Sequence, residues 1–212
     1  MKFLGRFPIP MSILIIACLA VSLWTVTHYF ENTIRPLQEQ ARRAHIEGEI
    51  KAADSLLKRK RYDTAAQEYR FILDAYDNEL LKQDKGHLHD AMGLSHFGLS
   101  TRQDQEKNLK LAIEDFQEAL TYRTSDVSPE LYGTTWKHLG RVYENLAIHR
   151  KSEDDFATAI DAYQKALSVQ QGDTNPEGYA TAKAMLGGAY RELYVHSEDK
   201  QHTALAFQHY EE

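Results

Sequence analysis

The sequence predicts an all-α protein: an N-terminal transmembrane helix followed by an α-solenoid of antiparallel helix pairs. Three observations carry this expectation. A run without a charged residue extends from Phe7 to Phe30. The chain beyond it is rich in strong helix formers, with apolar residues three and four positions apart. Small and aromatic residues then return at a fixed step of 47.

The step is shared by several series at once. Gly93, Gly140 and Gly187 keep it, as do Ala65, Ala112, Ala159 and Ala206. So do Tyr69, Phe116, Tyr163 and Tyr210, then Met92, Leu139 and Leu186. His96, Tyr143 and Tyr190 form another series, and Leu99, Leu146 and Leu193 the last. A glycine in one helix and an alanine in the next carry almost no side chain, so two antiparallel helices can approach closely at those points.

The clearest unit runs from Trp136 to Leu167. Trp136-Lys137-His138-Leu139-Gly140-Arg141-Val142-Tyr143 fits W-x₂-L-G-x₂-Y, and Ala159 with Tyr163 fits A-x₃-F with Tyr for Phe. Trp136, Leu139 and Tyr143 share one helical face. The chain here resembles the tetratricopeptide repeat (TPR) family, in a long-period variant. Its unit is thirteen residues longer than the common 34. About half of the excess is expected between the paired helices, at Ile148 to Phe156, and the rest before the next unit, around Ser125 to Pro129. The resemblance implies a TPR-like α-solenoid whose first helices line a concave groove holding a partner's peptide or helix.

The 212 residues carry a formal charge of −6, with 26% charged and 42% apolar side chains. No basic stripe appears, which argues against nucleic acid as a partner. The single basic run, Lys58-Arg59-Lys60-Arg61, reads as a solvated helix end favoured by the macrodipole. Cys18 is the only cysteine, so an internal disulfide and a cysteine-rich zinc site are excluded.

Residues 1–10 read as a short basic tail and residues 11–30 as the transmembrane helix. Twenty helical residues from Met11 span about 30 Å, the thickness of a bilayer core. Trp24, His28 and Tyr29 stand at the far end, where amphipathic rings favour the interface. A cleaved secretory signal has a shorter apolar region and a small-x-small exit, which this run lacks. A lipoprotein anchored at Cys18 is the alternative, since Ile15-Ile16-Ala17-Cys18 resembles a lipobox; against it, Leu19 to Val26 stays apolar. Lys2 and Arg6 favour an inside N-terminus, which places the repeats across the membrane, in the periplasm of a bacterial inner membrane.

Residues 31–45 form a juxtamembrane segment, with a helix break expected at Pro36 because proline lacks an amide donor and disfavours helix before it. Residues 46–212 form an array of about four repeats. The expected helices are Leu37 to Lys60 with Tyr62 to Tyr76, Gly86 to Thr101 with Glu106 to Tyr122, Pro129 to His149 with Glu153 to Val169, and one from Pro176 paired with one from about Lys200. Ser128-Pro129-Glu130 and Asn175-Pro176-Glu177 read as matching starts, a capping side chain before Pro in the first turn. The last helix stops short of the apolar pair seen at Ala166-Leu167. The Lys200 to Glu212 segment is therefore expected either to pack on another chain, with Leu205 and Phe207 as its contact residues, or to be poorly ordered in isolation.

No constellation for catalysis appears: there is no Gly-rich phosphate loop, no G-x-S-x-G and no H-E-x-x-H. No cofactor, metal or small-molecule substrate is expected. His87 and His89 would project to different faces of a helix, and His96 fills the slot of Tyr143 and Tyr190, which reads as packing between helices. His138, His149, His196, His202 and His209 read as exposed. The groove candidates are Asp90, Lys137, Arg141, Glu144, Asn145 and Arg191, with Leu94, Ala184 and Gly188 at equivalent slots. Lys137 and Arg141 resemble the third repeat of carboxylate-clamp TPR domains, but Ile50, Asp54, Asp90 and Leu94 are not the Lys and Asn that a clamp needs. The expected function is a membrane-anchored scaffold or accessory subunit that assembles proteins at the bilayer. The alternative is the docking or sensor arm of a larger effector whose catalytic domain lies beyond Glu212.

Overall fold

The computed structural model describes residues 11–169 and 175–196, without the side chains of residues 12–14. Every regular element among them is helical. The order is α1 (Met11–Tyr29), a π-helical turn (Phe30–Ile34), α2 (Arg35–Lys58), α3 (Tyr62–Tyr76), α4 (Lys82–Ser100), α5 (Gln105–Tyr122), α6 (Pro129–Arg150), α7 (Glu153–Val169) and α8 (Pro176–His196). Two units divide between Gly48 and Glu49.

In the first unit α1 is apolar on every side, and each of its described side chains is exposed. Trp24 and His28 stack with ring centroids 5.0 Å apart. Among the described residues no helix is long and apolar enough to cross a membrane. The break expected at Pro36 is absent. The chain widens into the π-helical turn, where the Arg35 amide donates to the Phe30 carbonyl, and α2 begins directly after it. A wide turn one residue earlier accommodates a proline that has no donor of its own. Glu31, Arg35 and Glu39 then follow as exposed neighbours one turn apart, with Arg35 paired to both acids.

In the second unit each helix packs on its chain neighbours: α3 on α4, α4 on α5, α5 on α6, α6 on α7 and α7 on α8. Short connections make these consecutive helices antiparallel. The alternate helices α4, α6 and α8 also touch in sequence. Burial is accordingly distributed along the chain. One cluster joins Leu109, Ala112 and Phe116 of α5 to Leu139, Val142 and Leu146 of α6 and Ala162 of α7. The next joins Ala147, Phe156, Ala159, Tyr163, Leu186 and Tyr190 across α6, α7 and α8.

The repeating residues are the ones that make these contacts. Ala65, Ala112 and Ala159 have no exposed surface, nor do Tyr69, Phe116 and Tyr163. A Cβ on Gly93 would stand 2.8 Å from the Phe116 ring, and one on Gly140 would stand 2.4 Å from Tyr163. Only glycine lets the aromatic ring of the following helix lie directly on the backbone there.

The extra residues between paired helices do not form a loop. Helix α6 continues to Arg150 and α7 starts at Glu153, so most of the Ile148 to Phe156 stretch is helical. The excess lengthens the helices. The start at Ser128 also differs from expectation: Pro129 takes the first position, but the Ser128 side chain makes no capping bond. At the matching start Asn175 Oδ1 accepts from the Gly178 amide at 2.9 Å. The pairing partner of α8, with Leu205 and Phe207, lies outside the described residues.

Candidate functional site

The groove candidates on α6 fall on one side of the helix, though not all are open. Arg141 is exposed, with its guanidinium 5.0 Å from the centre of the Phe97 ring of α4. Lys137, one turn before, is half-buried, and burial lowers its ammonium from the usual range against the pull of Glu130 and Glu177. Asn145 donates to the Arg141 carbonyl at 2.8 Å. Glu144 accepts from the Tyr163 hydroxyl at 2.8 Å. Its carboxyl is raised, chiefly by burial and secondarily by Glu192, against the opposing effect of Tyr163, Arg141 and Arg191. Arg191 on α8 is exposed and pairs with Glu192 at 2.8 Å.

Asp90 does not belong with them. It is 6% exposed and serves an internal network. Its Oδ1 accepts from Arg123 Nη1 at 2.9 Å and from Thr135 Oγ1 at 2.8 Å, and lies 3.2 Å from His138 Nδ1. Arg123, just past the end of α5, is itself buried. The network thus ties α4, the α5 terminus and α6 together. It also corrects the expectation for His138, which is held between helices rather than solvated. Burial pushes the Asp90 carboxyl up, but His138, Arg123 and Thr135 together hold it below the ordinary range.

Two further histidine–carboxylate contacts cross between helices. His96 Nδ1 of α4 is 2.5 Å from Asp115 Oδ2 of α5, both residues buried. His87 Nε2 of α4 is 3.0 Å from Asp54 Oδ1 of α2, which also accepts from the Tyr69 hydroxyl at 2.8 Å. Among the described residues no three His, Cys, Asp or Glu side chains are grouped to hold a metal ion.

The first helices also frame a depression of about 430 Å³ that the sequence did not single out as a whole. Leu57 and Lys58 at the end of α2, Lys60 of the following turn and Tyr62 of α3 form one side. Leu94, Phe97 and Gly98 of α4 line it, and Arg141 reaches it from α6. Leu94 and Arg141 were candidates by register. Lys58 and Lys60 belong to the Lys58-Arg59-Lys60-Arg61 run, whose reading as a solvated helix end missed that both of its lysines border an apolar hollow. The turn is tight because Lys60 adopts the left-handed conformation, φ 58°. The Lys60 amide bonds the Leu57 carbonyl and the Arg61 amide the Leu56 carbonyl, both at 2.9 Å, the double closure of a Schellman turn.

No family model and no curated protein matches this chain.

Proposed function

We propose that this chain is a membrane-anchored helical-repeat protein of the tetratricopeptide type, a scaffold or accessory subunit that holds a partner protein at the bilayer. The observation that carries the reading is the coincidence of sequence step and packing. Gly93 receives Phe116 and Gly140 receives Tyr163, at the slots where the tetratricopeptide pattern places a small residue against an aromatic one. With aromatic and small residues committed to helix–helix contacts, the first helices turn Lys137, Arg141, Asn145 and Arg191 toward a partner.

The anchor is α1. A helix apolar all round requires an apolar surrounding, and the described α1 side chains are all exposed. Those side chains alone do not make a span. Support for a longer one comes from the sequence, whose charge-free run begins at Phe7. The basic N-terminal tail favours an inside N-terminus and an array on the far side of a bacterial inner membrane.

Photo-crosslinking tests the scaffold reading. A benzoylphenylalanine at position 137 or 141 of the membrane-bound chain is expected to capture a discrete protein adduct. The same probe at Phe71, exposed on α3, is expected to capture none. Adducts from Phe71 alone, or none at any position, would refute it.

A further inference from the structure

We propose that the depression between the α2–α3 turn and α4 takes an acidic protein segment carrying one bulky apolar side chain. This rests on the reading of the array as a partner-binding scaffold and names the chemistry of the partner.

The hollow joins an apolar floor to an all-positive edge. Leu57, Leu94 and Phe97 supply apolar surface, and the Tyr62 ring forms a wall. Tyr62 can lie flat on α4 only because Gly98 has no side chain: a Cβ there would stand 2.6 Å from the ring. Every charged side chain lining the hollow, Lys58, Lys60 and Arg141, is a cation. None of the three has an ion-pair partner among the described residues. A fourth cation, Arg102, lies with its guanidinium 4.9 Å from the Tyr62 ring centre. The carboxylates that feel these cations are already engaged: Asp54, near Lys58, by Tyr69 and His87, and Glu144, near Arg141, by Tyr163.

A positive hollow on a chain of net charge −6 is local charge, not a property of the whole surface. Its cations come from two sides, the α2–α3 turn and α6, with the apolar residues of α4 between them. A ligand matching this must place acid on both sides of an apolar anchor. An extended peptide with Asp or Glu flanking a Phe or Leu does so, whereas a single lipid headgroup presents its charge at one point. Apolar burial of the anchor supplies affinity, and the flanking charges supply selectivity and fast association.

The test uses the full chain in mild detergent and a fluorescein-labelled heptapeptide of Asp and Glu with one central Phe, followed by anisotropy. The peptide is expected to bind and to weaken with salt. The double variant Lys58→Glu/Lys60→Glu and the single variant Arg141→Glu should each weaken it about tenfold or more, with helicity by circular dichroism unchanged. Lys107→Glu, on exposed α5 surface, should leave it unchanged. No binding, equal binding of the peptide with Ser for Phe, or an equal loss with Lys107→Glu would overturn it. Displacement by micelles containing phosphatidylserine at matched charge would assign the hollow to a lipid headgroup and also overturn it. Crosslinks from position 141 without peptide binding would leave the scaffold standing and remove only this partner chemistry.

Discussion

The Tyr163 ring of α7 lies directly on the backbone of Gly140 in α6, so close that a Cβ on the glycine would meet Cε1 at 2.4 Å. Ala159, one turn before Tyr163, is fully buried in the same contact. Gly140→Leu and Ala159→Leu should each destabilise the array by about 1–3 kcal/mol through overpacking. Thermal melts of the full chain in detergent check this. Melting temperatures unchanged by both substitutions would contradict the helix register.

Asp90 makes the array sensitive to acid. Its folded carboxyl titrates below the ordinary carboxylate range, because His138, Arg123 and Thr135 outweigh the cost of burial. Such a group contributes stability that is fully present above its unfolded pKa and is lost as pH falls through the folded value. Urea midpoints should therefore hold from pH 7 down to about 5 and then decline below about 4. Asp90→Asn should remove part of that decline. It should also cost about 3–5 kcal/mol at pH 7, since it leaves buried Arg123 with an uncompensated charge.

Glu144 has the opposite sign. Burial raises its carboxyl, so ionisation opposes folding, and its contribution diminishes as pH rises through the carboxylate range. Glu144→Gln keeps an acceptor for the Tyr163 hydroxyl without the charge. Its stability at pH 7 should equal or exceed that of the parent, with a smaller dependence on pH between 4 and 7, a range set by the ordinary carboxylate value of about 4.3. A marked loss at pH 7 in urea melts would show that the charge itself is needed.

Two lysines occupy left-handed backbone positions at helix ends, Lys60 with φ 58° and Lys151 with φ 54°. A side chain there costs about 1–2 kcal/mol, part of which glycine returns as unfolded-chain entropy. Lys60→Gly and Lys151→Gly should each raise stability by roughly 0.5–1 kcal/mol, measured as urea midpoints. A lowered midpoint for both would mean that their side chains contribute more than the strain they carry.

The helical segments were legible because apolar spacing and end signals agreed. Helices α3 and α7 have the bounds that the sequence predicts, Tyr62–Tyr76 and Glu153–Val169. Pro36 misled because proline reports a missing donor but not the π-helical turn that absorbs it. The Asp90 network was hidden because it does not repeat. Lys137 and Ala184 stand at the equivalents of Asp90, and Arg123 joins from outside any helix. For His96 a signal existed, a polar ring in a slot otherwise held by Tyr143 and Tyr190, but its partner Asp115 has Ala162 as the next equivalent. The hollow beside Tyr62 depends on four helices meeting, α2, α3, α4 and α6, which a period along one chain does not report.

The most direct test of a partner-holding array anchored by α1 is surface labelling followed by alkaline carbonate extraction. A Val127→Cys chain in a Cys18→Ser background presents one thiol, at a position 76% exposed. After reaction of intact spheroplasts with an impermeant maleimide, the labelled chain is expected in the carbonate-washed membrane pellet. Labelled chain in the supernatant would contradict the anchor, and label that appears only after lysis would contradict an array on the far side of the membrane.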